Sequence, residues 1–340
     1  MGPDFHQLAR DFGDRSELVF WPEGSGVDWR DTHRTHRARV ILGIQFGQQR
    51  ASHEFLRFLM EQEVLRAELD PFQGLSEELT TVAWFLSEHR VPADCDLFLR
   101  AKGANFDCHC GFDAEFVVSC GVSRLSEYLE QSGGESREKL LEFLEERKFS
   151  EELVESWRAR LAARFETPWE EHDIDYRYRR LVNAGLHELA DEVLDEWRAQ
   201  APDTWEELVA LRYEHMKRGF YAEAAGFSRR ILELHLSSDK EVAERGELTE
   251  ALTLAGDFSG AMDSLLDYHR DLKKIAGWWK VGYGREAARR AFLLAREDSP
   301  FAVQALQMGD AVMSKLTMCP PAIVELREEA NFYCQCRKEA

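Results

Sequence analysis

The chain is poor in the residues that interrupt or cross-link a fold. Its 340 residues include only 9 prolines and 22 glycines, too few for a low-complexity or disordered chain, and 44% of its side chains are hydrophobic, enough for a large core. The seven cysteines, Cys95, Cys108, Cys110, Cys120, Cys319, Cys334 and Cys336, are an odd number in a long chain. Met1-Gly2-Pro3-Asp4-Phe5-His6 carries neither a basic nor an apolar leader segment. Together these predict reduced thiols and a cytoplasmic protein rather than a disulfide framework. Positive charge is scarce: 43 Lys and Arg face 63 Asp and Glu, for a net charge of −20. Such a balance argues against nucleic acid as a direct ligand and against docking on an anionic membrane. No apolar run approaches the ~18 residues of a membrane span. Runs of alternating apolar and β-branched residues are missing too, so strands are expected to be minor or absent. There is no phosphate-binding Gly-rich loop, no His-Glu-x-x-His and no Gly-x-Ser-x-Gly. Nothing calls for a cofactor.

What is present reads as helix. The first 30 residues are irregular, with Gly13, Pro22, Gly24 and Gly26 closely spaced. From Thr32 onward apolar residues recur at three and four places, as in Val40, Ile41, Ile44 and then Phe55, Leu56, Leu59, the spacing of one helix face. Asp70-Pro71-Phe72-Gln73-Gly74 breaks the run. Further helices are predicted through Leu79–Leu86, 97–101, 116–120, 125–129 and 140–144, and Leu153, Trp157 and Leu161 form a stripe expected to be buried. In the second half, Thr167-Pro168-Trp169-Glu170, Thr204-Trp205-Glu206-Glu207 and Ser238-Asp239-Lys240-Glu241 read as helix starts with capping boxes. Ser299-Pro300 gives a fourth start, and Cys319-Pro320-Pro321 precedes a last helix over 323–332.

An internal repeat is the strongest signal. Gly185-Leu186-His187-Glu188-Leu189-Ala190, Gly219-Phe220-Tyr221-Ala222-Glu223-Ala224 and Gly256-Asp257-Phe258-Ser259-Gly260-Ala261 each place a ring residue two after glycine and alanine five after. The glycines lie 34 and then 37 residues apart. Leu194 with Trp197, Ser228 with Ile231, and Leu265 with Tyr268 follow at nine and twelve places. Over residues 171–275 the pattern resembles the second half of tetratricopeptide repeats, which are helix–turn–helix units of ~34 residues. In that family, glycine turns the chain between two helices and alanine lets them approach. Two departures stand out. Tyr178, Arg212 and Thr249 occupy the place where the family has a small residue seven before the glycine, and Trp197, Ile231 and Tyr268 replace a small residue twelve after it. The resemblance implies an all-α protein with an N-terminal helical domain, 1–166, continuous with a tetratricopeptide-like solenoid, 167–340. A degenerate last unit would use 285–296 and 301–316, with 323–332 as the closing helix.

The same resemblance implies a groove lined by the first helix of each unit. Its positions fall on His172, Asp175, Arg179, Val182 and Asn183, then Glu206, Val209, Tyr213, Met216 and Lys217, then Ala243, Gly246, Glu250, Thr253 and Leu254. Asp175 sets this mixture apart from the Lys/Asn/Arg clamp with which some members hold a terminal carboxylate. A groove of this composition suits a protein or peptide with apolar and charged side chains, a basic one if net charge guides association. The expected role is that of a non-enzymatic adaptor or regulator, with toxin neutralisation or a defence system as a setting suggested by charge and fold analogy alone. The competing reading is a metal-binding or thiol-dependent protein centred on Cys108-His109-Cys110, with Cys95 or Cys120 completing a zinc site. That spacing is tight for zinc, and small buried thiols beside a turn at Gly111 account for it as well.

Overall fold

The computed structural model describes residues 2–10, 15–25, 29–47, 51–70, 74–131, 133–234, 236–280 and 282–337. The chain is all-α, and its contacts divide it into two compact units, Met1–Trp197 and Arg198–Ala340. Among the described residues the strands are confined to an antiparallel pair, Pro22–Glu23 with Arg30–Asp31. Of the expected break at 70–74, Pro71, Phe72 and Gln73 lie outside the described residues.

The first unit contains α1 (Phe5–Arg10), α2 (Arg34–Phe46), α3 (His53–Leu69), α4 (Glu77–Ser87), α5 (Cys95–Lys102), α6 (Phe106–Gly111), α7 (Val122–Gln131), α8 (Glu135–Glu146), α9 (Glu151–Phe165), α10 (Ile174–Asn183) and most of α11 (His187–Gln200). Short polar side chains start several of them: Ser52, Ser76, Asn105 and Ser150 each accept a hydrogen bond from a backbone N–H three residues on. The core is built on rings. Trp84 stacks on Phe165 at 5.9 Å, and Phe116 meets Trp157 edge-on at 4.8 Å and stacks on Phe112 at 4.7 Å. Trp157 also donates its indole N–H to Asp113 at 2.8 Å, so its one polar group is satisfied in the core. The buried stripe of α9 is Val154, Trp157, Leu161 and Phe165, whereas Leu153 is 45% exposed. The expected stripe therefore began one residue early. Residues 114–118 form a 3-10 turn rather than the start of an α-helix.

Thr167 does not cap a helix as its sequence suggests. Its hydroxyl donates back to Ala163 O at 2.6 Å, a 3-10 turn follows at Trp169–Glu171, and α10 begins only at Ile174. The boundary expected at 166/167 thus falls inside the first unit. Long-range polar contacts hold α10 there: Arg180 donates to Glu78 at 3.0 Å and to Gln45 at 2.9 Å, and Arg39 donates to Ala184 O at 3.1 Å.

The second unit contains α12 (Trp205–Arg218), α13 (Tyr221–Leu232), α14 (Ser238–Leu254), α15 (Phe258–Leu272), α16 (Gly282–Arg296), α17 (Ala302–Met313) and α18 (Pro321–Cys336). Thr204 caps α12 as expected, accepting from Glu207 N at 3.4 Å. The N-cap of α14 is Ser237, one residue before the predicted Ser238.

The three repeat glycines occupy equivalent corners. Gly185, Gly219 and Gly256 have φ of +66°, +79° and +79°, the left-handed region that a Cβ disfavours. Each corner closes with the same bonds. The residue after glycine donates to the carbonyl five back, as in Leu186 to Leu181, Phe220 to His215 and Asp257 to Leu252, and glycine donates to the carbonyl three back. This is the pattern of a helix end closed by a left-handed glycine. Ala190, Ala224 and Ala261 are fully buried five places on. The large residues at the departing positions pack or pair rather than leave gaps. Tyr178 lies 6.1 Å from Trp197, Thr249 donates to Ser264 at 2.9 Å, and Tyr268 donates to Tyr283 O at 3.1 Å.

Candidate functional site

Within the second unit, helices α12, α14 and α16 are tied by a ladder of buried and half-buried ions. A carboxylate recurs every third residue on α14, at Glu241, Glu244, Glu247 and Glu250. Arg212 of α12 reaches Glu244 at 3.1 Å and Glu247 at 2.6 Å. Glu247 accepts from Arg290 of α16 at 2.6 Å, and Arg290 pairs with Glu250 at 3.3 Å. Arg289 completes the ladder on Glu250 at 3.1 Å. Gly246 leaves room for this: a Cβ there would stand 2.8 Å from Arg290 Nη1, so a larger residue would make the guanidinium shift along α14. Ser228 of α13, polar where the other repeat units carry leucine, donates to Glu244 at 2.6 Å and is fully buried.

The ladder corrects the expected groove in its third segment. Gly246 and Thr253 are buried, and Glu250 is engaged by two arginines rather than open to a ligand. Of these positions, what stays exposed in the second unit is on α12 and at the end of α14. Tyr213 is 57% exposed, with the Lys217 ammonium 4.9 Å from its ring centre, and Lys217 in turn pairs with Glu214 at 3.2 Å. Glu206 is exposed, Met216 is half-buried against the core and Leu254 at the end of α14 is exposed.

The first-segment positions all belong to the first unit. Asp175 and Arg179 pair with each other one turn apart on α10. Asn183 donates to Glu78 at 3.3 Å, and His172 is wedged between Phe46 and Tyr176 at 5.5 and 4.5 Å. Burial holds the His172 imidazole below its usual pKa. His172 and Asn183 are therefore held by internal packing and hydrogen bonding.

The cysteine-histidine segment forms the short α6, where successive side chains diverge. Cys108 is buried, its N–H donated to Asn105 at 2.8 Å and its thiol pushed up in pKa by burial, while His109 and Cys110 are exposed. Cys120 lies elsewhere, its sulfur 3.5 Å from that of Cys95. Among the described residues, no three His, Cys, Asp or Glu side chains converge in a way that could hold a metal ion. The expected Cys108, His109, Cys110 and Cys120 ligand set is not brought together, because neighbours on one helical turn point in different directions.

Comparison of the chain with protein-family models, with curated proteins and with solved structures gives no match.

The ladder escaped the sequence reading, although the three-residue spacing of glutamates on α14 was its signal. It makes a pH prediction. Burial raises the Glu250 pKa, but the hydrogen bonds and charges of Arg289 and Arg290 outweigh it, and the net is below the usual carboxylate value. Such a group stabilises the fold above its unfolded pKa and loses that contribution as pH falls through the folded value. Glu244 runs the other way: burial outweighs Arg212 and Ser228 and holds its pKa up, so its ionisation opposes folding at neutral pH. Glu250→Gln is expected to be less stable than wild type at pH 7 and to lose less stability on acidification to pH 3.5. Urea midpoints at the two pH values measure this, and parallel losses in both proteins would contradict it.

Proposed function

We propose that the protein is a non-enzymatic adaptor that holds a polypeptide partner on the outward face of α12. The observation that carries this reading is Tyr213, a large aromatic side chain left exposed on a helix whose opposite face is fixed in the core and by the Arg212 ion pairs. Exposed tyrosine on a rigid element is a typical interface anchor, since little side-chain entropy is lost on binding. Glu206, Lys217 and the half-buried Met216 supply the mixed rim around it. The three equivalent glycine corners and buried alanines support the tetratricopeptide-like reading, a family built for this use. With a net charge of −20, association favours a basic partner, and neutralising such a protein is the role most in keeping with that balance.

The test is site-specific photocrosslinking in cells. A benzophenone amino acid at position 213 is expected to capture one discrete polypeptide, in a yield that falls as salt rises. The same probe at Val303 on α17, itself 40% exposed, is expected to capture none. Absence of a product at both 213 and 217, or identical products at 213 and 303, would rule the reading out.

A further inference from the structure

Two of the seven thiols meet in the core of the first unit. Cys95 opens α5, its N–H donated to Pro92 O in the preceding 3-10 turn. Cys120 follows the 3-10 turn at 114–118 and stands two residues before α7. Their sulfurs lie 3.5 Å apart. A disulfide holds its sulfurs at ~2.0 Å, so closure asks for an approach of about 1.5 Å shared between two side chains. The two thiols differ in access and in charge. Cys95 is fully buried, whereas Cys120 lies just beneath the surface, 4% exposed, beside the exposed Ser123 and Arg124. The hydrogen bond from Cys95, and then the Arg124 charge, hold the Cys120 thiol below its usual pKa against the effect of burial. The same hydrogen bond, with burial and Asp94, pushes Cys95 up. This is the arrangement of an attacking thiol near the surface with a second thiol behind it. The other cysteines are placed differently. Cys108 donates to Gly74 O at 3.7 Å and Cys334 to Ala295 O at 3.6 Å, and Cys110 and Cys336 are exposed.

We propose that Cys95 and Cys120 form a redox switch, which hydrogen peroxide converts to a disulfide that pins the start of α5 to the turn before α7. The Cys120 thiolate attacks one peroxide oxygen: an S–O bond forms, the O–O bond breaks, and hydroxide leaves and takes up a proton to become water. Cys95 then attacks the sulfenic sulfur. The S–S bond forms, the S–O bond breaks, and the second oxygen leaves as water with the Cys95 proton. The two thiols give up two electrons and the peroxide accepts them, with two waters released. The closed loop takes in α5, the 3-10 turn at 114–118 and α6 with its exposed Phe106. Exchange with a small dithiol reverses the step.

The test is a hydrogen peroxide titration of the full chain, followed by alkylation under denaturing, non-reducing conditions and peptide mass mapping. At a small molar excess of peroxide the wild type is expected to lose two of its seven alkylatable thiols. One linked peptide should join Cys95 to Cys120, and dithiothreitol should release it. The oxidised first unit is expected to melt about 5–10 °C higher than the reduced one, because the closed loop restrains the unfolded chain. In Cys95→Ala, Cys120 is expected to stop at the sulfenic acid, trapped by dimedone, and to react more slowly for want of the Cys95 hydrogen bond. In Cys120→Ala, Cys95 is expected to stay reduced. Loss of all seven thiols at equal rates, a linkage that forms as readily in urea as in the native chain, or an oxidised chain that melts no higher than the reduced one would each overturn the proposal. The wild-type chain alone gives these three readings, so an alanine variant that fails to fold leaves the outcome decided.

Discussion

Arg37→Met is expected to lower the stability of the first unit by about 3–5 kcal/mol, the range for breaking one side of a buried ion pair. Arg37 is fully buried. Its Nε donates to Glu63 at 2.7 Å and its terminal nitrogens hold Asp31, and both carboxylates are as buried as the guanidinium. Methionine fills much of the same space, so the loss comes from Asp31 left in the core without a cation, and Glu63 left with only Arg66 at 3.7 Å, rather than from a void. The triple variant Asp31→Asn, Arg37→Met, Glu63→Gln removes all the charges together and is expected to recover most of the loss. Asp31 also fixes the backbone N–H groups of Trp21 and His33, so hydrogen exchange in R37M is expected to rise first at residues 20–33. Denaturant unfolding followed by tryptophan fluorescence measures the loss, and a value under about 1 kcal/mol would show that the ions are hydrated as readily unfolded as folded. Arg34, one turn earlier on the same helix, differs: it faces Glu63, Glu78 and Asp70 without a close ion pair among the described residues.

The contrast between these arginines was invisible in the sequence, where Arg30, Arg34, Arg37 and Arg39 looked alike. Burial of charge is decided by partners brought from elsewhere: Glu63 lies on α3, and Glu78 on α4 meets Arg180 from α10. No local period announces such pairs. The all-α class was legible because it rests on local chemistry, namely three- and four-residue apolar spacing, polar N-caps and glycine at helix ends. For the same reason the corners at Gly185, Gly219 and Gly256 could be placed to the residue. The candidate groove was only partly legible. The tetratricopeptide resemblance offered Tyr213 and Lys217 as outward positions, and both are exposed on α12, but nothing in it revealed that α16 would close over Glu250 and Gly246. Thr167 misled for a related reason: a hydroxyl before Pro-x-Glu can cap the next helix or bond back to the last one, and here Ala163 takes it.

Gly185→Ala and Gly219→Ala separate what the turn requires from what its surroundings add. At Gly219 and Gly256 a Cβ would meet no atom within 4 Å, so alanine bears only the left-handed backbone, about 1–2 kcal/mol. At Gly185 the same Cβ would stand 2.5 Å from Thr35 Cγ2 and 3.5 Å from Arg39 Nη2. Those atoms belong to α2, against which the α10–α11 corner is seated through the bond from Arg39 to Ala184 O. Crowding of this kind adds about 1–3 kcal/mol, so G185A is expected to lose about 2–5 kcal/mol in all. Thr35 is exposed, and Thr35→Ala alone should be close to neutral. The double variant Thr35→Ala, Gly185→Ala is then expected to fall back to the level of G219A, because the methyl that collides is gone and the backbone strain remains. Chemical denaturation of the four proteins reads out the cycle. If T35A rescues nothing, the corner yields by shifting away from α2, and the α10–α11 corner is seated on α2 more loosely than its contacts imply.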